Sequence, residues 1–249
     1  MNPQLASLRT GPKSRRHRTL AEKAFQTLHQ AIMSGRLAPG LRLPIEDLAA
    51  ALDMSPMPIR EALRRLDSAG LVENIPHRGA RVTALTVEDL AEVYDARIAL
   101  ETLALRRAAE RFTDDEEAHC RHQLAVLQQT DEEDADAYSA AHQGFHFSLY
   151  EAAGSSWLQR LIRPVWESSE RYWLVLPSRA QPPHRRHEHG ELIDACAAHD
   201  ADLAAQRIRQ HLNDTAYYIA ARMGGELPLD LASTDPRRAG GVSAPGTPA

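Results

Sequence analysis

Two cysteines, Cys120 and Cys196, are all that the 249 residues contain, and no motif spacing relates them. Their scarcity excludes a disulfide framework and a thiolate metal site, and points to a reducing, cytoplasmic compartment. Long apolar runs are missing too. No stretch approaches the length of a bilayer span and no apolar segment follows the early basic residues, so neither a membrane anchor nor a secretory signal is expected. No strand pattern or internal repeat interrupts the C-terminal two thirds, which excludes a large sheet or a solenoid there.

What is present is a globular composition, 43% hydrophobic, with room for two modest domains. The net charge of −5 hides an asymmetry: residues 1–82 hold 13 Lys and Arg against 7 Asp and Glu, leaving +6 in that part and −11 in the rest. Phosphate attraction is thus concentrated at the N-terminal end. Residues 1–16, a basic arm, and 225–249, rich in Pro, Gly and Ser, read as mobile tails around a domain over 17–83 and another over 86–224. Helical periodicity predicts six helices in the second domain, at about 87–110, 114–129, 134–152, 156–176, 184–198 and 201–223. Thr86 and Asp89 resemble a capping box at the first of them. The fold class is therefore mainly α, with an N-terminal winged helix-turn-helix and a C-terminal all-α bundle.

The winged helix is read from Leu48 to Val82. Ser55 is suited to cap a helix whose first turn accommodates Pro56 and Pro58, because its backbone N–H groups have no intrahelical partners to lose. Ile59, Ala62, Leu63 and Leu66 recur with helical period, leaving Met57, Arg60, Arg64 and Asp67 on the opposite face. Gly70 ends the helix, Leu71 to Ile75 reads as a strand, and Pro76 to Gly79 turns it back into Ala80 to Val82. Ser55, Met57, Arg60 and Arg64, with His77, Arg78 and Gly79 of the wing, are the candidate DNA contacts. Arginines near the start of such a helix suit guanine edges, and Gly79 permits close backbone approach to another chain or a phosphate.

In the bundle, four of the twelve histidines lie on apolar faces. His142 and His146, one turn apart, share a face with Tyr138, Phe145 and Leu149. His189 lies with Leu192, Ile193 and Cys196, and His211 with Ile208, Leu212 and Thr215. Each alone is more readily read as a hydrogen-bonded core residue than as a ligand. Together they would leave several buried nitrogens to satisfy, which one divalent metal would do. Arg97, on a face with Leu90, Tyr94 and Glu101, is readable either as a carboxylate clamp or as the i, i+4 partner of Glu101. Trp157, Trp166 and Trp173 read as core and interface packing.

The run Ile32 to Val82, with Ser55-Pro56-Met57-Pro58-Ile59-Arg60-Glu61-Ala62-Leu63 at its centre, resembles the winged-helix domain of the GntR family of bacterial transcription regulators. Pro56 stands where that family usually has an arginine that touches DNA. Residues 86–223 resemble the FCD ligand-binding domain of the family's fatty-acid-regulator subgroup, through Val93-Tyr94-Asp95-Ala96-Arg97-Ile98-Ala99-Leu100-Glu101, Phe145-His146, Glu188-His189 and Gln210-His211-Leu212. The resemblance implies a homodimer on a palindromic double-stranded operator, with Asp95, Arg97 and Glu101 at an effector cavity for a small carboxylate. It also implies a metal held by an aspartate and three histidines, and His142 occupies the aspartate's place. An all-imidazole set removes a negative ligand, which leaves the ion's charge uncompensated and leans toward zinc or nickel. Two alternatives remain: a helical-bundle metalloenzyme, disfavoured because no HExxH-like carboxylate is poised as a base, and a regulator for which the metal itself is the signal.

Overall fold

The computed structural model describes residues 19–75, 79–131, 134–176 and 185–227, together with the isolated Gln4. The basic run Lys13 to Arg18, the wing residues His77 and Arg78, and most of both expected tails lie outside the described residues.

The first domain begins with α1 (Leu20–Met33), whose Thr19 cap accepts from the Glu22 amide. Strand β1 (Arg42–Leu43) follows, then α2 (Ile45–Leu52) and α3 (Pro56–Ser68). β2 (Val72–Ile75) and β3 (Gly79–Val82) complete an antiparallel sheet in the order β1-β3-β2, with Val72 opposite Val82 and Ile75 opposite Gly79. The sequence reading has only the hairpin; two residues of β1 are too short to show alternation. Leu28, Ile32, Leu48, Ile59, Leu63 and Leu66 close a core beneath the sheet. Ser55 stands at the N-cap of α3, but its side chain makes no capping bond there. Its hydroxyl stays exposed, and Pro56 at the first helical position removes one amide that would need a cap.

The second domain contains α4 (Val87–Ala109), α5 (Asp114–Gln129), α6 (Ala135–Ala152), α7 (Ser156–Glu170), α8 (Arg185–Ala197) and α9 (Ala201–Arg222). Helix α4 runs through the middle, packed on α9, α7 and α6 around Leu90, Tyr94, Ile98, Phe145 and Ile208. Thr113 and Glu116 form a reciprocal capping box on α5. At α4 only half of the expected box forms: Thr86 accepts from the Asp89 amide, while the Asp89 carboxylate takes the Tyr172 hydroxyl instead. The segment expected to be one helix to 176 ends as α7 at Glu170 and tightens into a 3-10 stretch, Arg171–Val175. There Arg171, 2% exposed, donates to the Thr83 carbonyl and Tyr172 to that of Thr86, so the interdomain link is held by the bundle. The bundle core continues past residue 225, where a tail is expected to begin, since Leu227 is buried in it. Among the described residues no helix is long and apolar enough to cross a membrane.

Candidate metal centre and nucleic-acid interface

Helix α3 presents one apolar and one bare polar face. Pro58, Ile59, Ala62, Leu63 and Leu66 are buried, while Met57, Arg60 and Arg64 are exposed, Met57 at 68%. Arg60 and Arg64 have no ion pair among the described residues, whereas their neighbour Arg65 is held by Glu22 at 2.6 Å and lies over the Phe25 ring. Met57, Arg60, Arg64, Asn74, Ile75 and Gly79 line one hollow between α3 and the wing. Two guanidinium groups without ion pairs among the described residues, beside a strand pair, suit a phosphate-lined groove. Gly79 departs from expectation. At φ +96° it sits against the backbone of Leu43 and Pro44, where a Cβ would overlap the Leu43 carbonyl oxygen. The close approach that requires glycine here is to its own sheet neighbour.

The four histidines converge. His142 and His146 from α6, His189 from α8 and His211 from α9 place one ring nitrogen each within 4.8 Å of one another, and only His142 is more than slightly exposed. Burial foremost, then the neighbouring imidazoles and Arg97, holds His146 well below the ordinary imidazole range, so it stays neutral as a ligand must. The second partners of two rings select the inward nitrogen. His146 Nδ1 lies 3.3 Å from the Tyr150 hydroxyl, which donates onward to Glu101, while His146 Nε2 is buried with no hydrogen-bond partner. His211 Nδ1 lies 2.9 Å from the Glu188 carboxylate, leaving Nε2 as its ligating atom. An orphaned buried nitrogen facing three other imidazoles is one that a metal ion would satisfy, and outer carboxylates orienting the rings are usual companions of such ligands. The residues present therefore fit a divalent metal.

Charge around the centre differs from the expectation of an uncompensated ion. Glu188 reaches it through His211. Arg97 is 4% exposed and spends its guanidinium internally: Nε donates to Glu101 Oε1 at 2.7 Å, Nη2 to Oε2 at 3.3 Å, and Nη1 to Ser169 Oγ at 3.0 Å. Burial opposes that charge, but Glu101, with Tyr94 and Tyr150, more than offsets it and keeps Arg97 protonated. Of the two readings of Arg97, the internal pair is the one that forms. Asp95 is not brought to this face; it is exposed on the far side of α4. Tyr150, which links the pair to His146, was missed, although its i, i+4 spacing from His146 was a visible signal. Cys120 and Cys196 are buried and free, and burial pushes their thiols up to about 11 and about 12, so neither offers a thiolate.

A cavity of about 360 Å³ adjoins the cluster between the two domains. His142 and Trp166 of the second domain and His29 and Gln30 of α1 are among the residues that line it. The Trp166 ring lies 5.4 Å from that of His142 and 5.0 Å from that of His146. Across the same boundary His29 Nε2 meets Glu167 of α7 at 3.0 Å.

Residues 20–82 match the gntR family of bacterial regulatory proteins, and residues 92–214 match the FCD domain. The HTH-type transcriptional regulator BphR of Paraburkholderia xenovorans is 33% identical over 80% of this chain and 84% of its own. The HTH-type transcriptional repressor GlaR of Escherichia coli is 28% identical over 81% and 96%. Escherichia coli McbR/YncC superposes with a TM-score of 0.68 at 24% identity, over 83% of this chain and 99% of that one, a likeness of fold.

Proposed function

The chain belongs to the GntR family of bacterial regulatory proteins with an FCD domain. It is a DNA-binding transcriptional regulator and not an enzyme, and on that premise we propose a homodimeric repressor whose second domain holds a divalent metal and senses a small carboxylate. The helical-bundle metalloenzyme falls with the family assignment. The observation that carries the proposal is the convergence of His142, His146, His189 and His211 beside a cavity that reaches the DNA-binding domain.

These four imidazoles would hold the ion, and an all-imidazole set favours zinc or nickel. When bound, the ion supplies a local positive charge that draws a carboxylate. Arg97 and Glu101 do not grasp the effector in this reading; they fix Tyr150, and through it the tilt of His146. Arg60 and Arg64, with Ser55 and Met57, face the operator, and Arg78 and His77 of the wing complete the contact. A second copy would place a second α3 about one helical turn away on a palindrome. Trp157 and Leu161, exposed one turn apart on α7, offer an apolar strip for that copy. The boundaries of the two domains are proposed on the same reading, 17–83 for the first, with the second running from 86 through the buried Leu227. An effector regulates only through its different affinities for the DNA-competent and DNA-incompetent arrangements.

Operator affinity is measured by fluorescence anisotropy on DNA from upstream of the protein's own gene, with metal-loaded and chelated protein and with added carboxylates. A carboxylate-dependent loss of affinity that needs the metal is the expected result. Loss on chelation alone, with no carboxylate effect, would make the metal itself the signal. Elemental analysis after dialysis checks the site: alanine at any of the four histidines should lose metal, and His119→Ala, exposed on α5, should keep it. Equal retention in all five variants refutes the metal centre.

A further inference from the structure

The exposed face of α3 carries one side chain for which phosphate has no use. Met57, 68% exposed, stands in the first turn of the helix, and Arg60 and Arg64 follow it on the same face at i+3 and i+7. Arginine serves phosphate and guanine alike, but a thioether arm is neither a cation nor a hydrogen-bond donor and gains nothing on a charged backbone. Met57 is not an isolated apolar group either. Together with the half-buried Ile45 of α2 and Ile75 of β2 it lines the same hollow as Arg60, Arg64 and Asn74. Its backbone is held from both sides, since Pro56 and Pro58 have fixed φ and Pro58 is itself buried. Little chain freedom is therefore lost when Met57 docks.

The first turn of a recognition helix is the part that meets base edges in the major groove. Of the groups displayed on those edges, the 5-methyl of thymine is the one that neither donates nor accepts a hydrogen bond. We propose that Met57 reads thymine: in each half of the operator it packs on the 5-methyl group of one T·A pair, while Arg60 and Arg64 take acceptors on neighbouring bases and phosphates. Cytosine in that place lacks the methyl group, and a purine there lays its N7 acceptor against the methionine with no donor to meet it. Met57 thus excludes as well as attracts. This contact rests on the reading that α3 faces the operator, and on nothing in the second domain.

The full-length protein first selects its preferred duplex from a random-sequence pool. Each thymine of that duplex is then replaced in turn by uracil, which pairs identically and lacks only the methyl group, and binding is followed by fluorescence anisotropy. For the unaltered protein, uracil at one thymine in each half should weaken binding about fourfold, the worth of one buried methyl, and uracil at both together about tenfold. Met57→Ala, which removes the thioether arm, should bind the thymine and doubly substituted uracil duplexes alike, with the affinity that the unaltered protein has for the latter. Met57→Leu, still apolar and long, should prefer thymine by at least about threefold over the doubly substituted duplex. Leu20→Ala, at another exposed apolar residue of the first domain, should keep the full preference. Thermal unfolding confirms an intact fold in each variant. The thymine contact is overturned, with α3 still on the operator, by equal uracil sensitivity in Met57→Ala and the unaltered protein, by a duplex with no uracil-sensitive thymine, or by Met57→Leu as indifferent as Met57→Ala. A pool that yields no preferred sequence overturns the assignment of α3 to base reading itself.

Discussion

Replacing Tyr150 by phenylalanine deletes one oxygen from the interior of the bundle and nothing from the ligand set. That hydroxyl donates to Glu101 and stands 3.3 Å from His146 Nδ1, in a side chain fully buried between α4 and α6. Glu101 keeps its two bonds from Arg97, so the larger loss falls on His146, whose Nδ1–H is left without an acceptor. An unsatisfied buried donor costs about 1–3 kcal/mol of folding stability. Loss of the group that orients a metal-bound imidazole typically costs about 10–100-fold in metal affinity, or about 1.4–2.8 kcal/mol. The two effects separate experimentally. Thermal unfolding of chelated protein reads the first, and competition for metal against a chromophoric chelator reads the second. His119→Ala, far from the cluster and exposed, controls for nonspecific effects. If Tyr150→Phe melts earlier without metal yet holds metal as tightly as the unaltered chain, the hydroxyl is only a packing element and the orienting role is refuted.

Arg60→Ala should weaken operator binding by about 1–3 kcal/mol and blur preference at one base position, whereas Arg65→Ala, whose charge is tied to Glu22, should cost at most about 1 kcal/mol of stability and leave base preference intact; a gel-shift series over operator variants distinguishes them. His142→Asp should still retain metal on dialysis but bind the carboxylate effector less tightly, because the site's charge falls by one; tighter effector binding on calorimetry would contradict the electrostatic reading. Gly79→Ala forces a Cβ onto the Leu43 carbonyl at φ +96°, and should destabilise the first domain by about 1–3 kcal/mol and weaken DNA binding with it; an unchanged melting temperature would show that the sheet yields freely.

The six helices of the bundle were legible because each carries its own apolar period, and the histidines were legible because they fall on those periods. Asp95 shows where likeness to a family misled. Two residues before Arg97 on a helix lie about 200° round the axis, so period alone assigned it to the opposite, exposed face. Other features belong to no single segment. The bond from Tyr150 to Glu101 joins α6 to α4, the cavity exists only where α1 meets α6 and α7, and β1 becomes a strand only by pairing with β3. Gly79 was recognised as special, but what it must avoid lies 36 residues earlier in the chain, at Leu43.

Four consecutive residues of α7 touch four different parts of the molecule. Trp166 walls the histidine cluster, Glu167 meets His29, Ser168 lies against Gly70 at the end of α3, and Ser169 accepts from Arg97. Successive residues on a helix point about 100° apart, so α7 works like a camshaft: no turn about its axis leaves any of the four contacts at rest. Pro164, two residues before the first of them, lacks the N–H that would tie this stretch to the preceding turn. One backbone bond is therefore missing between these four contacts and the exposed Trp157 and Leu161.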